Sequence, residues 1–418
     1  MNYKVNWLFL LLLLGAITCT IHQANAQYHR ELIEKLCAPK LHGRGYYKNG
    51  DHKAATFIQK EFKKAGAFPV NGQYFQEFTF PVNTFPGKVE VSLDQVKLHP
   101  GKDFIVNPGC PPVNGIFPIK RVTIPFDLRS DWSKTFLHFD KMGLDSLSTL
   151  AMDSLMKNPP ACAGILITQR DKTIWSVATK VSPRPVVRVQ IDSLQWQPSE
   201  ISIRVDSKFV TDHKARNVAA YLPGTSNADS FIVFTAHYDH LGRMGPKALF
   251  AGANDNASGT AMIIDLARWF SKPENRPSKS VLFIAFAAEE AGLIGSKYYT
   301  ESPMVRLDRI RFLLNLDLMG NGDEGMMVVN GELHTTEFDM LDRINKEKGY
   351  LKILGKRGTA KNSDHYFFSE KGVPAFFFYT NGGSKAYHDV NDLPNQLPLT
   401  EFDDIKKLIV DFVGVVGR

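Results

Sequence analysis

Five short groups of histidine and carboxylate residues carry the chemistry of this chain: His237-Tyr238-Asp239, Asp255, the pair Glu289-Glu290, Asp317 and His388. Imidazole and carboxylate together suit zinc, with cobalt or manganese as substitutes, whereas calcium and magnesium prefer all-oxygen shells. The absence of cysteine from the set argues against a closed structural zinc site. Two divalent cations about 3.5 to 4 Å apart repel, and a shared carboxylate with further anionic ligands offsets that repulsion. Two histidines and three carboxylates suffice for such a pair, and one glutamate is then left over. A spare carboxylate is what a hydrolase needs as general base, taking a proton from the attacking water and handing it to the leaving amine.

The residues in front of these groups show how they are positioned. Phe231 to Ala236, Val281 to Ala287 and Phe312 to Leu316 are short runs rich in β-branched and aromatic residues, the pattern of buried strands in a parallel or mixed sheet. Ala375 to Tyr379 is another such run, ahead of the loop with His388. The carboxyl ends of the strands of an open α/β sheet form its ligand crevice, so the side chains should converge there. A helix predicted over Asn256 to Phe270 opens directly after Asp255 and would hold it rigidly. Strands alternating with helices predict a three-layer α/β/α fold with a mostly parallel, mixed sheet.

Five ordered segments resemble the co-catalytic zinc exopeptidases, the family of secreted bacterial leucine aminopeptidases, glutamate carboxypeptidase II, the transferrin receptor and glutaminyl cyclase. They are Ala236 to Gly242, Gly252 to Gly259, Ala288 to Ser296, Asn315-Leu316-Asp317 and Tyr387-His388-Asp389. The resemblance implies that His237 and Asp317 bind one zinc, that Glu290 and His388 bind a second, and that Asp255 bridges them. It makes Glu289 the general base and Asp239 the partner that orients His237. It also implies a cis peptide between Asp255 and Asn256.

Each piece has a plainer reading. An isolated Glu-Glu pair is commonly a solvated helix end, and His240 and His334 read as surface or hydrogen-bonded histidines. His365, in Ser363 to Phe368, is expected to line the site without ligating, because both shells are already full. Arg44, in Leu41-His42-Gly43-Arg44-Gly45, is expected to fix that loop rather than bind a ligand. Tyr366, Tyr379 and Tyr387 are the candidate donors to a tetrahedral oxyanion.

The first 26 residues combine Lys4, an apolar stretch from Trp7 to Ile17 and Ala24-Asn25-Ala26, which reads as a secretory signal too short to span a membrane. Thr18 makes lipid attachment at Cys19 a poor match. The expected chain is therefore exported, to periplasm or medium, with no integral membrane segment after the leader. Residues 27–100 read as the amino-terminal part of a catalytic domain, with Ala54, Ala55, Ile58, Phe62 and Ala65 on one helix face. Residues 101–206, with short β-like runs and many prolines, resemble a protease-associated insertion, and 207–418 read as the zinc peptidase domain. The net charge of +7 is spread along the chain without a basic tract, which argues against nucleic-acid binding. Of the four cysteines, Cys37, Cys110 and Cys162 follow the leader, and a Cys110 to Cys162 bridge is the expected pairing.

The expected function is a secreted zinc aminopeptidase acting on peptide amino termini. Three alternatives stay open: a carboxypeptidase or dipeptidase on the same site, with Lys356 or Arg357 holding a substrate carboxylate; a glutaminyl cyclase, which in a related frame uses one zinc; and a non-catalytic receptor-like module.

Overall fold

The apolar runs become the centre of one sheet in the computed structural model, which describes residues 27–140, 146–191, 197–383 and 385–417. The leader read over residues 1–26 lies outside them. Lys279–Phe286, Asn227–His237, Ile310–Asp317 and Ala375–Thr380 lie side by side in that order and run parallel. Their carboxyl ends therefore share one edge, with His237 level with Phe286 and Asp317 level with Tyr379. Orientation changes on both flanks: Lys208–Leu222 is antiparallel to Lys279–Phe286, and Met326–Val329 is antiparallel to Ala375–Thr380. The full nine-stranded sheet is thus mixed, and parallel where the chemistry leaves it.

Alternation along these strands creates the layers. Ile232, Phe234 and Ala236 enter one core with residues of the helices Gly50–Lys64, Gly259–Phe270 and Phe402–Val416, while Val233 enters another with Tyr299 and Phe368. Val281 and Phe283 split from Leu282 and Ile284 in the same way. Successive strand side chains point to opposite faces, so a strand apolar at every position is buried on both sides. The expected face of the helix Gly50–Lys64 is buried at Ala54, Ala55, Ile58 and Phe62. Among the described residues no helix is long and apolar enough to cross a membrane.

A second sheet of eight strands holds its parallel centre in Val113–Arg121, Trp132–Asp140, Cys162–Gln169 and Val186–Gln190. Val89–Leu93 and Val96–Lys97 precede residue 101 yet pair into this sheet, and Glu200–Val205 joins Val89–Leu93 to Val113–Arg121. A helix, Ser146–Lys157, joins the otherwise β-rich region and buries Met152 against Leu137, Phe139 and Ile167. The expected disulfide is corrected: Cys37, Cys110 and Cys162 are all free thiols. Cys110 is buried in the second sheet's core, while Cys162 starts its strand opposite Trp132 and accepts a hydrogen bond from Arg184 at 3.0 Å.

Candidate metal centre

His237 ends its strand, and its Nδ1 donates to the main-chain carbonyl of Asp239 at 3.1 Å. A carbonyl only accepts, so that bond places the proton on Nδ1 and leaves Nε2 free to bind. His237 Nε2 lies 3.4 Å from Asp255 Oδ1, 3.4 Å from Asp317 Oδ2 and 4.0 Å from Glu289 Oε2. His388 repeats the arrangement: Nδ1 donates to Trp175 O at 2.9 Å, while Nε2 is 3.1 Å from Asp255 Oδ2 and 3.2 Å from Glu290 Oε2. Asp255 thus offers one oxygen to each imidazole.

The loop that carries Asp255 departs from the expected helix. The α-helix begins at Gly259, not Asn256, because Asp255 (φ −106°, ψ 98°) and Asn256 (φ −124°, ψ 44°) lie outside helical backbone geometry; the peptide between them is cis. Gly252, at φ +61°, starts the turn, and a Cβ there would stand 2.1 Å from Asp255 O, so only glycine fits. The Asp392 carboxylate accepts the backbone N–H groups of Asn254 at 2.9 Å and Asp255 at 3.0 Å. Asp317 is steadied through Ser363, whose hydroxyl donates to Oδ2 at 3.3 Å and accepts from Asn315 at 2.8 Å.

Arg44 is fully buried and structural, as its sequence context suggested. It donates to Tyr238 O at 2.7 Å, Ala251 O at 2.6 Å, Gly252 O at 2.8 Å and Asp255 O at 3.1 Å, tying the His237 segment to the Asp255 turn. Arg44→Met should strand these buried carbonyls and destabilise the fold by about 3 to 5 kcal/mol, read as a lower urea midpoint. An unchanged midpoint contradicts this role.

Asp239 acts differently from the simplest expectation for it. Its carboxylate stands 3.9 Å from His237 Nδ1, and accepts instead the backbone N–H groups of Glu289 at 3.1 Å and Glu290 at 3.3 Å. Tyr46 donates its hydroxyl to the same carboxylate at 2.6 Å. Asp239 therefore fixes the turn that presents the two glutamates.

His240, read from sequence as a plain hydrogen-bonded histidine, belongs to the site. It is fully buried, its Nδ1 is 2.7 Å from Glu290 Oε1, and it groups with Asp255 and Glu290 in metal-holding geometry. Its place three residues after His237 was the available signal. Asp392, four residues after His388, carried a similar one, whereas Tyr46 and Trp175 reach the site from remote segments that no local pattern marks. His365 is buried and stands outside the groups with metal-holding geometry, and burial pulls its pKa down to about 4.

The donors fit a metal. Asp255 Oδ2 and Asp317 Oδ1 are buried with no hydrogen bond, although Asp255 Oδ2 has His388 Nε2 at 3.1 Å. Buried polar atoms are normally paired, so unpaired ones gathered in one place leave room for an ion. Electrostatics agree. Burial opposes ionisation of Glu289 and holds it well above the usual range, and the carboxylates of Asp364, Glu290 and Asp317 add to the effect. Burial also works against the His388 imidazolium, but Glu290 and Asp255 outweigh it and raise its pKa to about 11. Glu290, despite burial and Asp255, is drawn down to about 2 by His388 and His240. Such a concentration of anions calls for cations. A remote group, Asp51, His52 and His213, is less suited, because the Arg216 guanidinium already sits 2.7 Å from His52 Nδ1.

Of the three tyrosines, Tyr387 lies nearest the chemistry, stacked on His388 with ring centroids 3.9 Å apart. Tyr379 is engaged by Arg357 at 2.7 Å, and Tyr366 donates to Glu370 at 2.5 Å. Lys356 lies over the Phe338 ring at 5.5 Å.

The chain is similar to known proteins in part of its sequence and in its fold. Residues 217–413 match the model for Peptidase family M28. A probable leucine aminopeptidase of Arthroderma otae is 26% identical over 53% of this chain and 65% of its own length. Aminopeptidase YwaD of Bacillus subtilis is 30% identical over 46% of this chain and 42% of its own. The chain therefore spans less than two thirds of either relative. In fold it is similar to the solved zinc aminopeptidase BSAP of Bacillus subtilis, with 21% identity, a TM-score of 0.69 and coverage of 93% and 94% of the two chains.

Proposed function

We propose that this chain, whose residues 217–413 match the model for Peptidase family M28, is an exported, zinc-dependent aminopeptidase that removes single residues from peptide amino termini. The ligand sets are His237, Asp255 and Asp317 on one side and Glu290, His388 and Asp255 on the other, with Asp255 shared. Bound zinc would supply Lewis-acid polarisation of the scissile carbonyl and would make a water acidic near neutral pH. The protein's own groups do the rest. Glu289, whose Oε2 lies 4.0 Å from His237 Nε2, takes the proton of the attacking water and delivers it to the leaving amine. Asp239 and Tyr46 hold Glu289 in place, and Tyr387 donates to the oxyanion. Nothing in the charge distribution favours a nucleic-acid partner, and peptides are the proposed substrates. Residues 89–205 read as an inserted domain that shapes access, of the protease-associated kind that the sequence resembles.

The observation that carries the amino-terminal preference is which cations pair with the site's carboxylates. Among the described residues, every ion pair of Asp255, Glu289, Glu290 and Asp317 is with a histidine. Two bound zincs would offset these carboxylates, so what favours the amino terminus is that no lysine or arginine stands among these partners to hold a substrate carboxylate. Lys356 and Arg357, the cations a carboxypeptidase reading needs, are occupied by Phe338 and Tyr379. The prediction is release of single amino-terminal residues from unblocked peptides, with amino-acetylated versions cleaved at least about a hundredfold more slowly by kcat/KM. Equal cleavage of both forms, or release from the carboxyl end, refutes the assignment, and two tightly bound zincs per chain separate it from a one-zinc cyclase.

A further inference from the structure

His388 is held from outside its own sheet. The segment Lys172–Trp175 lies between Cys162–Gln169 and Val186–Gln190 of the second sheet, and it grips the loop around His388 on both sides. Trp175 N donates to His388 O at 3.0 Å, and His388 Nδ1 donates back to Trp175 O at 2.9 Å. Lys172 Nζ reaches Lys385 O at 2.6 Å, Tyr387 O at 2.9 Å and Asp389 Oδ2 at 2.5 Å. His388 itself has φ +56°, a conformation that a histidine keeps only when its surroundings impose it.

The segment is well anchored. Trp175 is 3% exposed, stacks on Phe250 at 4.7 Å with its rings 24° apart, and donates Nε1 to Val106 O at 2.8 Å. Val106 belongs to the second sheet and Phe250 to the hairpin that follows His240, so the tryptophan locks the segment to both units. A metal-binding imidazole needs its other nitrogen protonated and directed at a fixed acceptor. For His237 that acceptor comes from its own loop. For His388 it is the carbonyl of Trp175, from a loop between two strands of the other sheet.

We propose that Lys172–Trp175 is the positioning element for His388, so that the second sheet completes one of the two metal sites instead of merely covering it. The inference rests on the two-metal reading above. Its test is stepwise zinc affinity, measured on the full chain by competition with a chromophoric chelator. Lys172→Met should weaken one of the two zincs by about 10- to 100-fold, in the same step that His388→Ala removes, and leave the other unchanged. Lys172 is part-exposed, so the melting temperature of the metal-free variant should match that of the metal-free parent, and Lys172→Arg, which can donate to the same carbonyls, should recover most of the affinity. A merely structural role predicts the opposite pattern, a lower metal-free melting temperature with both zinc steps weakened alike. Wild-type affinities in Lys172→Met, or equal losses at both steps, overturn the proposal alone. Fewer than two zincs in the parent protein overturns the two-metal reading and takes the proposal with it.

Discussion

Glu289→Gln should retain zinc and lose turnover by about 10²- to 10⁴-fold, the range for removal of a general base. The amide is nearly isosteric with the carboxylate, and the backbone N–H of residue 289 still reaches Asp239, 3.1 Å away in the parent structure, so the turn survives. What disappears is the capacity to accept a proton. Glu289 lies 4.0 Å from His237, yet it belongs to neither of the groups with metal-holding geometry, His237, Asp255 and Asp317 or His240, Asp255 and Glu290. Metal analysis should therefore find the parent zinc content, and the loss should fall on kcat more than on KM. Near-normal kcat in the zinc-loaded variant sinks the assignment. Glu290→Gln is the contrasting case, in which loss of activity should follow loss of metal.

Exhaustive chelation should abolish activity and lower thermal stability, and zinc should restore both. Ligand bound only by the folded state stabilises it by RT ln(1 + [L]/Kd), about 4 kcal/mol at a thousandfold excess over Kd. The pH dependence carries a sign. In the metal-free protein, burial first and then neighbouring carboxylates push Asp364 up to about 7, and burial lifts Asp239 to about 6. A group whose folded pKa lies above its unfolded one stabilises the fold while protonated, and that contribution is lost as pH rises through the folded value. His388, raised to about 11, loses its contribution progressively above the ordinary histidine range, in the same direction. Asp255 and Glu290 are shifted the other way, and their contribution is lost only on strong acidification. Metal-free protein should therefore melt at a lower temperature at pH 8 than at pH 5.5. Zinc affinity rises over the same interval because the ligands must be deprotonated. The melting difference between zinc-loaded and chelated protein should widen with pH, and calorimetry at the two values decides it; a constant or narrowing gap refutes the acidic-cluster account.

The sequence by itself determined the central strands and the ligands at their ends. A run such as Val281 to Phe286 has no polar position to turn toward water, so it is buried on both faces, and whatever follows it must emerge at the strand's carboxyl edge. That local logic is enough to bring His237, Glu289, Glu290 and Asp317 to one line, and the glycine-bounded turn adds Asp255. It also distinguishes Arg44 as a fixing residue, since a lone arginine in a glycine-rich loop has carbonyls around it to satisfy. The supports were decided only by the tertiary structure. Tyr46 precedes Asp239 by 193 residues, and Trp175 precedes His388 by 213. A hydrogen bond to a main-chain carbonyl, as Trp175 accepts, leaves no mark on residue type at all, because every residue has that oxygen. The same holds for the thiols, where export permits a Cys110–Cys162 bridge but only the placement of Cys110 in a core and Cys162 at a strand start decides that none forms. Strand and ligand come from patterns a few residues long, whereas the orientation of a ligand depends on whichever backbone the folded chain lays against it.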